Sequence, residues 1–345
     1  MDRTRPLIFA AAGFAALLAA CGSEAAQPAC PFQGETAAWT RGALAAWDLV
    51  RDTRLNLPPA APPEIVLFDT ACAYRLSAAG SAAPDGYRPL EASVRTSEGE
   101  LKVWSAPHAG EVGLPDGKTV PARPLAFAAQ NSTGRVFFVM ALPQVWEQAQ
   151  ALRGRPPALL NAVFVHEISH VRQVAALGRR LDALTAQGVL PPEADDDIVQ
   201  KRFGSDPAFS AAVARETDLF YRAAAAGDLA DTRRLAAEAL ASIDARRARS
   251  FTGKDAEFAE VEDVFLTFEG AGNWAGYAWL SDPKGAGMSH DAAMDLMRGG
   301  RKWWSQEMGL GLFLTLDRLD PDWPDKVYGE QGAVAVDLLR TALSR

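Results

Sequence analysis

The stretch "VFVHEISHVRQ", residues 163–173, decides how the rest of the chain is read. It holds two of the chain's four histidines, four residues apart, with a glutamate directly after the first. On an α-helix, residues four apart share a face, so His166 and His170 can turn both imidazoles toward one ion. Glu167 lies beside that face, where it reaches a water on the ion rather than the ion itself. Val163, Phe164, Val165, Ile168 and Val171 mark a core helix, and Ser169 keeps the flank of the histidine face small. A charged glutamate in such surroundings is costly unless a cation and a water compensate it. The pattern therefore points to a zinc ion that activates water. The competing reading is a buried helix whose histidines are satisfied by hydrogen bonds alone.

A catalytic zinc takes a third protein ligand and keeps a fourth position open. Val264–Leu280, "VFLTFEGAGNWAGYAWL", carries Glu269 as its one charged residue. An ionised carboxylate in so apolar a run needs a partner. Glu216, in "ARETDLFYRAA", is the rival third ligand. It shares a helix face with Val213, Leu219 and Phe220, and Asp218 lies close by as a carboxylate able to hold a histidine N–H. Glu262, seven residues before Glu269 on roughly the same face, is a second candidate for that supporting part.

"HEISH", followed about a hundred residues later by "FEGAGNW", resembles the gluzincin metallopeptidases of the peptidase-MA type. The resemblance implies a zincin-like catalytic domain with His166, His170 and Glu269 on Zn2+ and Glu167 as general base. It implies a peptide or protein substrate. It covers the two motif helices well, the region between them loosely, and residues 30–150 not at all. Gly272 stands at the family's alanine position and Trp274 at its tyrosine position. Arg172 stands where many zincins keep an apolar residue. If the family's tyrosine holds the oxyanion, this chain needs another donor, with Tyr277, His290 and Tyr328 as candidates.

The first two dozen residues carry a separate signal. Arg3 and Arg5 precede a 14-residue apolar run, Leu7–Ala20, too short to span a bilayer comfortably and suited to a secretory leader. The run ends in "LAAC", Leu18–Cys21, which resembles the lipobox of bacterial lipoproteins. That resemblance implies cleavage before Cys21 and lipid on its sulfur and new amino group. The chain is then exported and held to a membrane, facing the periplasm or the cell exterior; the alternative is an ordinary cleaved leader. Cys30 and Cys72 remain as an even pair in an oxidising compartment and are expected to be bridged. Closing that loop of roughly 40 residues is worth about 4 kcal/mol in the chain-entropy model.

The remaining pattern sets the fold class. Net charge is −8 and the pI about 5.2, so no basic face offers itself to nucleic acid. After a short tether, Trp39, Ala43, Ala46, Trp47 and Val50 recur at helical spacing within Thr36–Asp52. "EIVLFDTACAY" (Glu64–Tyr74) and "RVFFVMAL" (Arg135–Leu142) read as strands, with weaker strands at "ELKVWS" and "PLAFAA". Helices are expected over Gln144–Leu152, Ala158–Leu177 with Gly178 as its stop, Ala208–Ala226, Asp231–Arg249, Ala256–Leu280, Asp291–Arg298, Trp303–Leu316 and Gln331–Leu343. The expected class is α+β, mainly α. The expected segments are a leader (1–20), a tether with the first helix (21–60), a strand-rich part (61–155) and a helical part (156–345). His108 is expected to be exposed in its loop and Trp303-Trp304 to sit in the core. Two further functions compete with peptide hydrolysis. One is an inactive zincin-like lipoprotein serving as a periplasmic binding or assembly factor, favoured by the missing tyrosine and opposed by the intact Glu167. The other is a zinc hydrolase acting on a non-peptide amide.

Overall fold

The computed structural model describes residues 30–131, 133–150, 152–191, 194–330 and 332–345. The expected leader and Cys21, on which the expectation of a lipid anchor rests, lie outside the described residues. Among these residues no helix is long and apolar enough to cross a membrane.

Helix α1 (Gly34–Val50) continues through a π-helical turn at Arg51–Leu55. Eight strands follow: β1 (Glu64–Phe68), β2 (Cys72–Ala78), β3 (Arg88–Thr96), β4 (Gly99–Pro107), β5 (Glu111–Gly113), β6 (Thr119–Pro121), β7 (Ala126–Gln130) and β8 (Val136–Ala141). The rest is helical: α2 (Pro143–Gln148), α3 (Ala158–Gln173), α4 (Arg179–Ala186), α5 (Ile198–Phe203), α6 (Pro207–Ala225), α7 (Leu229–Ser250), α8 (Phe258–Ser281), α9 (His290–Met297), α10 (Trp304–Leu319), α11 (Trp323–Val327) and α12 (Ala335–Leu343). The class is α+β, mainly α, with the strands in the N-terminal part and the helices in the C-terminal part.

Six strands form one sheet in the order β3-β4-β2-β1-β8-β7, and β5 and β6 form a separate hairpin. Only the β1–β8 pair is parallel; Val66 stands opposite Val139 there. Side chains alternate across a strand, and the two faces build two cores. Ile65, Leu67, Phe138 and Met140 join the large helical core, while Val66, Phe68, Phe137 and Val139 pack beneath the hairpin residues Val112 and Leu114. On the helical face Phe164 of α3 meets Phe138 edge-on at 5.0 Å and Trp39 of α1 at 5.8 Å. Fully burying each such ring contributes about 1.5–3 kcal/mol. Helix α3 is thus trapped between the sheet and α8.

Several sequence expectations change in detail. Glu64–Tyr74 is two strands, because Asp69 Oδ1 accepts from the amides of Ala71 and Cys72 at 2.8 and 2.7 Å and turns the chain. The helix after Pro143 stops at Gln148, and Gln150 adopts a left-handed φ of 54°. Gly178 does not stop α3. A π-helical turn, Val174–Gly178, carries the helix on into α4, and Gly178 keeps a helical φ of −58°. The Cys30–Cys72 disulfide is present and fastens the start of the described chain to β2. His108 is only partly exposed. Its Nε2 lies 3.0 Å from the Asp69 carbonyl and its Nδ1 accepts from Gly110 N–H, so it braces the same turn. Arg172, at the end of α3, bonds Glu98 at 2.6 Å and the Pro58 carbonyl at 2.8 Å. Glu98 also pairs with the buried Arg51 at 3.0 Å. Arg172 thus ties α3 to the sheet edge and the first helix.

Candidate metal centre

Helix α3 contributes His166, Glu167 and His170, and α8 contributes Glu269. His166, His170 and Glu269 are buried, and their ligand atoms all lie within 4.8 Å of one another. The two Nε2 atoms are 2.9 Å apart. Glu269 Oε2 is 3.4 Å from His166 Nε2, and its Oε1 is 3.6 Å from His170 Nε2. Zinc with bonds of about 2.0–2.1 Å holds tetrahedral ligand atoms about 3.3 Å apart. The triad has close to that spacing, and two imidazoles with one carboxylate are a donor set that could hold a divalent metal ion.

The far side of each ring fixes which nitrogen faces inward. His166 Nδ1 meets Asn273 Oδ1 at 3.0 Å, and Asn273 Nδ2 donates to the Gln306 carbonyl at 3.1 Å. His170 Nδ1 meets Gln173 Oε1 at 2.8 Å, and Gln173 Nε2 donates to the Thr267 carbonyl at 3.3 Å. In both amides the NH₂ is committed to a backbone carbonyl, so the oxygen must face the ring. Each Nδ1 therefore donates, and each neutral ring presents an Nε2 lone pair to the other and to Glu269. A positive charge between them closes the cluster, either a proton on His166 or a metal ion. Burial opposes a charged ring, but the hydrogen bond and charge of Glu269 outweigh it and push His166 up to about 9. Burial, aided by His166, pushes His170 down to about 4. Burial would raise the pKa of Glu269, but His166, His170 and a hydrogen bond from Gln306 hold it below the usual carboxylate value.

Two glycines of "EGAGN" let the helices come this close. A Cβ on Gly272 would lie 2.9 Å from His166 Nδ1 and 3.0 Å from His170 Cε1, so both imidazoles rest on a bare stretch of α8. A Cβ on Gly270 would meet Phe313 Cδ2 at 2.5 Å and the Gly309 carbonyl at 2.6 Å. Gly270 therefore serves the α8–α10 crossing. Trp274 turns away from the triad and packs edge-on against Trp323 at 5.0 Å.

The triad opens into a cleft of about 700 Å³. Glu167, partly exposed, lines it with His170 and Glu269. Burial pushes Glu167 up to about 7, with Glu269 and Asp196 acting in the same direction and His166 against it. One wall is β7, the edge strand of the sheet, and the other carries Phe265, Phe268, Trp303 and Asp195–Asp197. Trp303 therefore faces the cleft, whereas Trp304 stacks on Phe209 in the core at 5.7 Å. Strand β8, which covers most of Arg135–Leu142, is paired on both sides and offers no edge; β7 does.

Other residues singled out by the sequence lie elsewhere. Glu216 is fully buried, but its partner is Arg246, whose Nη2 is 2.8 Å away. Glu262 is held by Arg246 at 2.9 Å and Arg247 at 2.8 Å. Both carboxylates therefore belong to a buried ion-pair network. Asp218 is exposed and pairs with Arg222 at 3.5 Å. Tyr277 donates to or accepts from His290 Nδ1 at 2.7 Å, and neither lines the cleft. Tyr328 packs against Trp323, also away from the cleft. The sequence reading missed Gln173, Asn273 and Gln306. The first two had a signal in their spacing, three residues after His170 and four after Glu269. A comparison with protein-family models, with curated proteins and with solved structures finds no match to this chain.

Proposed function

We propose that the chain is a zinc-dependent metallopeptidase of gluzincin type. His166, His170 and Glu269 would hold the metal and Glu167 would act as general base. The observation that carries this reading is the convergence of two Nε2 lone pairs and one carboxylate at 2.9–3.6 Å, with each ring fixed from behind by an amide oxygen. A divalent cation held by His166, His170 and Glu269 would supply Lewis acidity toward a carbonyl and a water. Glu167, beside the triad and open to the cleft, takes a proton from the attacking water and passes it to the leaving amine nitrogen. Asn273 and Gln173 keep the rings in register, and Gln306 steadies Glu269. The free edge of β7 along the cleft suits an extended polypeptide backbone by strand addition. The lipobox-like Leu18–Cys21 supports an exported, lipid-tethered enzyme working outside the cytoplasm.

The test is to purify the chain without chelator, measure its metal content and assay a peptide library. One zinc per chain is expected, with hydrolysis reduced about 10²–10⁴-fold in Glu167→Gln. Folded chain that takes up no metal removes the centre. Stoichiometric metal with no hydrolysis, and no difference for Glu167→Gln, makes the chain a binding protein instead.

A further inference from the structure

Peptide hydrolysis puts negative charge on the oxygen of the scissile carbonyl, and a donor aimed at that oxygen stabilises it. The three donors expected from sequence, Tyr277, His290 and Tyr328, do not line the cleft. Trp274 faces Trp323, so α8 offers no donor at the position where the resembled family keeps its tyrosine. Among the described residues that line the cleft, the side chains with an N–H to give are Gln130, His170, Trp303 and Gln306. His170 gives its N–H to Gln173 Oε1 at 2.8 Å. Gln130, exposed at the end of β7, turns back on its own hairpin and donates to the Gly134 carbonyl at 2.7 Å. Trp303 and Gln306 remain, one helical turn apart at the start of α10.

Of these two, Gln306 is built into the centre. Its main-chain carbonyl accepts from Asn273 Nδ2 at 3.1 Å, and Asn273 Oδ1 meets His166 Nδ1 at 3.0 Å. One asparagine thus fixes the His166 ring and the start of α10 against each other. The side chain of Gln306 then reaches Glu269 with a hydrogen bond. An ionised carboxylate only accepts, so the NH₂ of Gln306 must be the end that faces it. That NH₂ carries two donors. One is committed to Glu269, and the other is left to the cleft that Gln306 lines. The indole of Trp303 is engaged differently, with Lys302 Nζ 4.1 Å from its ring centroid.

We propose that Gln306 is the oxyanion donor of this site, its second N–H directed at the carbonyl oxygen of the bond being cut. The inference rests on the metallopeptidase reading and adds a catalytic residue to it. As the water oxygen bonds the carbonyl carbon, the C=O π pair moves onto the oxygen facing Gln306, and the water proton passes to Glu167. When the pair returns, the C–N bond breaks and the leaving nitrogen takes that proton. Gln306 keeps its own protons throughout.

The test brings wild-type chain, Gln306→Met and Trp303→Phe to full zinc occupancy, so that any help Gln306 gives in steadying Glu269 no longer counts. Each is titrated calorimetrically with a peptide phosphinate, whose tetrahedral anionic group stands in for the charged oxygen. The matching plain peptide is titrated in the Glu167→Gln background. Gln306→Met should bind the phosphinate about 10²–10³-fold more weakly, with plain-peptide affinity unchanged. Its kcat should fall by a similar factor at nearly constant KM. Gln306→Leu, checked by circular dichroism, takes its place if Gln306→Met does not fold. Equal loss for peptide and phosphinate overturns the proposal, as does loss for neither or a loss confined to Trp303→Phe. Cleavage by a wild-type chain whose phosphinate affinity is indifferent to Gln306 sinks this inference alone. A zinc-loaded chain that cleaves nothing, yet selects the phosphinate through Gln306, sinks the peptidase reading and leaves the donor standing.

Discussion

Arg246 with Glu216 and Glu262, and His166 with His170 and Glu269, are two polar clusters buried in the helical part, and they differ in whether they close on themselves. Arg246 is fully buried and donates to both glutamates, and Arg247 adds a bond to Glu262 and one to Asp263 at 2.6 Å. The ring of Phe209 lies 4.6 Å from the Arg246 guanidinium carbon. Every charge there meets its opposite, and the cluster fastens α6, α7 and α8 to one another. In the histidine cluster the outward ring nitrogens are satisfied, whereas the inward ones meet only each other and a carboxylate. A buried polar cluster that supplies its own counter-charge is a structural staple. One that aims acceptors at a common point calls for a cation from outside.

The largest effect should come from breaking the closed cluster. Arg246→Ala leaves Glu216 and Glu262 buried with their main partner gone, and is expected to cost about 3–5 kcal/mol in urea unfolding. Zinc bound per folded molecule should stay at the wild-type level, because no atom of Arg246 touches the triad. A loss below about 1 kcal/mol would mean the staple contributes no more than a surface ion pair.

Glu269 and Glu216 show how much of this contrast the sequence could carry. Each is a lone acidic residue on an apolar helix face, and composition alone treats them alike. What separates them is the arginine on α7 that reaches Glu216 from 30 positions along the chain, a contact that only tertiary packing creates. The helix period placed His166 and His170 together, and the apolar run around Glu269 exposed its need for a partner. The helices followed from period as well, and the strands from β-branched and aromatic runs. The breaks did not, because they depend on local bonds such as those of Asp69 and on the π-helical turn after Gln173. Gly272 was legible only as a departure from a family pattern, and its reason is the imidazole that occupies the place of a methyl group.

Helix α8 places two such glycines two positions apart, and they allow a smaller, finer test. Gly270→Ala drives a methyl into Phe313 and the Gly309 carbonyl, both backed by packed core, and should cost about 1–3 kcal/mol of stability. Gly272→Ala meets imidazole atoms instead, which can swing aside. Its expected signature is weaker zinc binding, by about tenfold, with a smaller loss in thermal unfolding. If both substitutions lower stability equally and leave zinc affinity alone, Gly272 is only a packing residue like Gly270.

The smallest expected effect probes what lies behind the rings. Gln173 both accepts from His170 and donates to the Thr267 carbonyl, so its removal mixes orientation with structure. Gln173→Met removes both bonds while nearly keeping the volume. It should weaken zinc binding by about 10-fold, the low end for the loss of a group that orients a ligand. Gln173→Glu loses the bond to Thr267 yet keeps an acceptor on His170 Nδ1, and a carboxylate makes that imidazole a stronger donor to a metal. If Gln173 matters by orienting His170, Glu should hold zinc at least as well as the native residue while Met does not. If it matters by bracing Thr267, both variants should lose affinity together, in step with their loss of stability. Zinc titrations against a competing chelator, set beside urea unfolding of the same two variants, separate the two outcomes.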